Sequence, residues 1–170
     1  MKAKQIVQGA LLTALAIIIP ISFGGYLRVY IPPFSATLVS HVPVFLSMLI
    51  SPLIAFFVGV GSTLGFLLVL GPVIAARAAV HIVVATAGAY LIHKGKYSFA
   101  AALFLVLPLH ALGEALIVIP FGFSLYDAGV VVGIGTALHH IVDAFIAIGI
   151  YRLLVKSGSL EPIDQLTAAQ

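Results

Sequence analysis

Apolar stretches long enough to cross a bilayer follow one another at about 5 to 23, 38 to 51, 52 to 71, 73 to 93, 98 to 119 and 128 to 155, against the ~20 residues that a helical span requires. The second is short and polar at its start, so it is expected to tilt or to begin below the membrane surface. Turn chemistry separates the stretches: Gly24-Gly25, Pro32-Pro33, Ser51-Pro52, Gly71-Pro72, His93 to Lys96, and Pro120 to Asp127. This pattern predicts an all-α membrane protein of six transmembrane helices. Residues 1–156 make a single six-helix domain, and 157–170 a polar, loosely ordered cytoplasmic tail.

Charge placement orients the helices. With the N-terminus inside, the inner face holds Lys2, Lys4, Lys94, Lys96, Arg152 and Lys156, and the outer loops hold only Arg28. Such an excess of lysine and arginine belongs on the cytoplasmic side. A five-span arrangement would scatter it, so six spans with both termini cytoplasmic are expected. The opening MKAKQIVQGALLTALAIIIP has the basic front and apolar run of a signal peptide, yet no convincing small-residue cleavage site follows. It reads as a retained first helix.

Composition agrees. Of 170 residues, 62% are hydrophobic and 8% charged, far from the roughly 25% charged residues of soluble domains, and mean hydropathy is +1.26. A soluble fold of this size has no means of covering so much apolar surface. Cysteine is absent, which removes disulfides and thiolate metal sites. No basic run suits nucleic acid.

The ionisable residues within the apolar body fall into helix-spaced groups: Arg77 with His81, His110 with Glu114, and His139 and His140 with Asp143. Charge at bilayer depth is costly, so such groups face a protein interior and mark a ligand or ion site. In the six-span orientation they lie towards the outer half of the membrane, as an outward-facing cavity requires. Arg77 offers a planar fork for a carboxylate or phosphate; the competing reading is a structural ion pair with Glu114 or Asp143. The His-x-x-x-acid pairs have a spacing that suits a metal, but pocket lining and helix-to-helix hydrogen bonding produce the same spacing. Between the first two stretches, Pro32 and Pro33 are expected to stiffen an extended segment. Tyr26, Tyr30 and Phe34 there serve either as interfacial anchors or as a lid over a planar ligand, with Ser40 and His41 beneath as hydrogen-bonding groups. Small residues recur at four-residue spacing: Gly61 with Gly65 for internal packing, Gly129 with Gly133, and Ala10 with Ala14, which are free to contact another membrane protein. The run GVGSTLG lacks the lysine of a phosphate-binding loop, and neither a G-x-S-x-G nor an H-E-x-x-H motif occurs.

Six helices in this length, Ala10 and Ala14 within GALLTALA, a capping loop after the first helix and no ATPase motif together resemble the substrate-binding S component of energy-coupling factor vitamin transporters. The run IPPFSATLVSHVPVFLSMLISP, followed by GSTLGFLL and RAAVH, is most similar to the niacin type. Cobalt and nickel members of the wider group carry histidine after the initiator methionine, and Lys2 stands there in this chain.

The resemblance implies a non-enzymatic subunit of the prokaryotic plasma membrane that captures a vitamin. A transmembrane coupling subunit and two cytoplasmic ABC ATPases would power uptake, with Ala10 and Ala14 on the docking surface. A small aromatic anion such as nicotinate would set its carboxylate on Arg77. Its ring would lie under Tyr30 or Phe34, and its nitrogen would meet His41 or Ser40. His81, His110, Glu114, His139 and Asp143 complete the expected pocket, without cofactor or resident metal. The rivals are an S component for another carboxylate vitamin such as pantothenate, a free-standing secondary transporter, and an intramembrane metal enzyme built from His110, Glu114, His139 and Asp143.

Overall fold

The computed structural model describes residues 3–23 and 26–163; Lys2, the Gly24-Gly25 turn and residues 164–170 of the tail lie outside the described residues. Among the described residues, five helices are long and apolar enough to cross a membrane: α1 (Ala3–Phe23), α3 (Pro52–Leu70), α4 (Pro72–His93), α5 (Phe99–Ile117) and α6 (Gly135–Lys156). A π-helical stretch, Asp127–Ile134, runs directly into α6 and gives a continuous span of 30 residues.

Local chemistry sets the boundaries. Ser51 caps α3 by accepting from Ile54 N at 3.2 Å, and Pro52 follows as its first residue, where a missing N–H costs nothing. Gly71 ends α3 with φ +82°, a backbone that glycine tolerates best, and Pro72 then opens α4. Ser98 caps α5 through Ala101 N.

The expected second span takes a different form. A two-stranded antiparallel ribbon, β1 (Arg28–Ile31) and β2 (Phe34–Thr37), turns at Pro32-Pro33, and only then does the six-residue α2 (Val42–Ser47) begin. The prolines make a turn where an extended run was expected. At 1.5 Å per residue α2 is about 9 Å long, far short of a bilayer core of about 30 Å. Ser35, Thr37, Ser40 and His41 interrupt the apolar run here, and all four are buried, so the backbone follows polar partners on other helices.

This segment nevertheless returns the chain along the bundle. Gly9 packs on Ile54, Gly61 on Thr13 and Gly65 on Ile17, so α1 and α3 run parallel and the backbone between them has doubled back. Gln5 Nε2 donates to Ile50 O at 3.4 Å, and His93 Nε2 lies 3.1 Å from Met48 O. The end of the α2 segment thus stands level with the start of α1 and the end of α4. The Gly61 and Gly65 contacts also bear out internal packing for that pair.

The interior divides by polarity. Phe45, Met48, Ile92, Phe99 and Leu103 belong to a buried apolar core, while Arg77, His81, His110, Glu114, His140 and Asp143 form a buried polar layer. Large apolar side chains such as Leu68, Leu112 and Phe145 point outward, as lipid contact allows. After α6 the chain folds back on itself: Leu160 N donates to Leu154 O and Ile163 N to the Tyr151 hydroxyl, both at 3.1 Å. The described residues of the tail, up to Ile163, are thus tied back to α6.

Candidate functional site

Four elements converge on the polar layer. β2 is buried along its length while β1 is exposed, so β2 forms a roof whose carbonyls face the helices. Phe34 is wedged between the Arg77 guanidinium, 5.0 Å from its ring centroid, and α6, where a Cβ at Gly135 would stand 2.9 Å from the ring. Glycine is needed there for the roof to close.

Arg77, on α4, is engaged mainly by protein. Its Nε and Nη2 lie 2.8 and 2.6 Å from Glu114 Oε2, and Nη1 donates to Ser35 O at 3.0 Å. The Thr136 hydroxyl donates to the same carboxylate oxygen at 2.6 Å. Of the two readings open for Arg77, the ion pair with Glu114 is present. A guanidinium has five N–H groups, of which these contacts use three, leaving two for another acceptor.

Asp143, on α6, holds the other side of the roof. It accepts from Val39 N at 2.9 Å and His41 N at 3.0 Å. Val39 has φ +63°, a strained backbone for a β-branched residue, and the carboxylate holds it in place. His139 Nε2 lies 3.1 Å from both Asp143 Oδ2 and Thr37 O. His41 Nδ1 is 3.2 Å from Asp143 Oδ2 but lacks hydrogen-bond alignment.

Between the two carboxylates the imidazoles crowd together. The His41 ring lies 4.6 Å from that of His81, 4.8 Å from His110 and 4.3 Å from His139. His110 pairs with His140 at 2.8 Å and approaches Glu114 Oε1 at 3.3 Å. His81 Nε2 is 3.5 Å from Glu114 Oε1, and neither of its ring nitrogens has a hydrogen bond. A cavity of about 30 Å³ opens among Ser35, Thr37, Ser40, His41, Arg77, His81, Glu114 and His139, space on the scale of a single water.

The predicted site residues thus come together with one exception. Tyr30 is 63% exposed on β1, with Arg28 over its ring at 5.3 Å, and does not line the cavity. His110 and Asp143 stand behind the lining residues. The quartet His110, Glu114, His139 and Asp143 does not form one metal site, because the donors sort into His41, His81, His110 and Glu114 on one side and His41, His139 and Asp143 on the other. Sequence reasoning missed Ser35, Thr37 and Thr136. Their contributions are backbone carbonyls and one hydroxyl, for which residue type offers no signal. Ala10 and Ala14 are both exposed on α1.

The chain is 33% identical to "Niacin transporter NiaX" of Lactococcus lactis subsp. cremoris (strain MG1363), over 96% of this chain and 80% of the relative. No protein-family model and no solved structure matches it.

Proposed function

The chain belongs to the niacin-type S components of energy-coupling factor transporters, and on that premise we propose that it captures nicotinate outside the cell for ATP-driven uptake by partner subunits. It performs no chemistry of its own. The observation that carries the reading is the small polar cavity against Arg77. Two guanidinium N–H groups remain for a carboxylate, and Ser40, His41, His81 and His139 offer hydrogen-bonding edges around a planar ring. At about 30 Å³ the cavity is smaller than nicotinate, so the side chains around it would have to part to admit the ligand.

The short α2 segment, read with the parallel run of α1 and α3, supports six passages of the backbone through the plasma membrane. The lysine and arginine distribution supports cytoplasmic placement of both termini. Exposed Ala10 and Ala14 give α1 a flat face for a transmembrane coupling subunit, which with two cytoplasmic ABC ATPases would supply the work.

Calorimetry on the purified protein in detergent tests the substrate, with nicotinate, nicotinamide, pantothenate and riboflavin as titrants. Tight binding of nicotinate, weaker binding of nicotinamide and none of the other two is expected. Preference for pantothenate would sink the nicotinate assignment.

A further inference from the structure

The tautomers of two buried histidines follow from what each nitrogen faces. His140 Nε2 stands 3.0 Å from Leu103 O; a carbonyl only accepts, so Nε2 carries the hydrogen. In a neutral ring Nδ1 is then a lone pair, and it lies 2.8 Å from His110 Nδ1. His110 Nδ1 therefore donates. Its Nε2 is left as a lone pair 3.3 Å from Glu114 Oε1, so two acceptors face each other in a buried site. Such a pair calls for a cation.

Other donors gather at the same point. His81 has both ring nitrogens unpartnered, and the His41 ring lies 4.6 Å from that of His81 and 4.8 Å from that of His110; His41 and His81 are each 3% exposed. Donor atoms of His41, His81, His110 and Glu114 all lie within 4.8 Å of one another. Zinc–nitrogen bonds of about 2.0–2.1 Å put tetrahedral ligands about 3.3–3.4 Å apart, within reach of small side-chain rotations. A proton on the histidine pair would satisfy the His110–Glu114 contact alone. One metal ion satisfies all four residues.

Charge points the same way. With neutral histidines the buried groups Arg77, Glu114 and Asp143 sum to −1, and a captured carboxylate would make −2 in a low-dielectric interior. A divalent cation brings the loaded site to zero. The neighbouring set of His41, His139 and Asp143 is less suited, because Asp143 already accepts from two backbone N–H groups and lies against His139.

We propose that His41, His81, His110 and Glu114 bind one divalent transition-metal ion of the zinc class, with His140 and the Leu103 carbonyl fixing His110 from behind. Three imidazoles and a carboxylate suit such an ion, and a hydrogen bond on the far ring nitrogen is the usual outer support of a histidine ligand. Four protein donors close the coordination shell, so the ion serves as a charge partner for an incoming anion. That role rests on the nicotinate reading; the metal site itself does not.

The test uses the full chain in detergent without a polyhistidine tag, stripped with chelator, dialysed and titrated with Co²⁺. Expected are one cobalt per chain, the strong visible absorption of four-coordinate cobalt, and its displacement by Zn²⁺. His81→Ala removes a ring that makes no hydrogen bond, and should weaken cobalt binding by about tenfold or more, the scale on which metal-site changes act. His93→Ala, at the inner end of α4, should keep it. Folded wild-type protein that takes up no stoichiometric cobalt, or uptake unchanged in His81→Ala, would overturn the site. Nicotinate titrations of stripped and zinc-loaded protein keep the readings apart. Equal affinity in both would remove the charge-partner role, and no heat in either would remove the nicotinate reading while cobalt still decides the metal site.

Discussion

Arg77 meets Glu114 through two nitrogens, Nε at 2.8 Å and Nη2 at 2.6 Å, both on the single oxygen Oε2. The pair bridges α4 and α5, and both residues are buried. Glu114 has its other oxygen turned to His81 and His110, so one carboxylate links the arginine to the imidazole cluster.

Breaking that pair from one side leaves a buried charge alone. Arg77→Met or Glu114→Leu alone should destabilise the detergent-solubilised protein by about 3–5 kcal/mol, whereas the two together should cost far less. Thermal unfolding of the two single variants and the double variant reads the coupling. Additive losses would mean that the pair is not the stabilising unit.

Asp143→Asn tests the carboxylate that holds the roof. An amide has only one accepting oxygen, so it satisfies Val39 N or His41 N but not both, and an unpaired buried N–H costs about 1–3 kcal/mol. Faster amide exchange and proteolysis are expected across residues 34–41. Exchange unchanged there would show that the ribbon is held by other contacts.

Packing of α1 on α3 separates two glycines that look alike in sequence. A Cβ at Gly61 would collide with Thr13, while one at Gly129 would meet nothing within 4 Å. Gly61→Val should lower the unfolding midpoint, with a cost of about 1–3 kcal/mol for overpacking. Gly129→Ala should be neutral or stabilising by up to about 1 kcal/mol from helix propensity. A reversed order in thermal melts would contradict the parallel α1–α3 contact.

Ala10 and Ala14 lie exposed on α1, away from the polar cluster. Ala10→Leu with Ala14→Leu should therefore leave ligand affinity in detergent unchanged within about twofold, since apolar surface changes away from buried features move stability by only ~0.5 kcal/mol. Uptake by cells that also carry the coupling subunit and ATPases should fall sharply. Full uptake by the double variant would place the docking surface elsewhere.

Much of this site was legible before any geometry. Arg77, His81, His110, Glu114, His139 and Asp143 stand out because charge is rare in an apolar chain, and helix spacing puts each pair on one face. Tyr30 was open to two readings, because aromatic rings near a membrane surface suit a lid and an anchor equally. Its strand turns outward because β1 is the exposed strand of the ribbon. His140 shares the polar run of His139, but rotation about α6 aims it at Leu103 O and away from Asp143. Thr136 lies 22 residues from Glu114, and no local pattern links them.

Hydropathy is local and additive, so residue order alone settled the membrane class and the five long helices, with serine, glycine and proline marking their ends. Partner choice across helices depends on axial rotation and relative depth, which the chain encodes only through all its contacts together. Tertiary structure therefore decided that Arg77 spends three donors on Glu114 and Ser35. It also decided that a ribbon and a six-residue helix replace the second long helix, and that four histidines from the α2 entrance, α4, α5 and α6 crowd between two carboxylates.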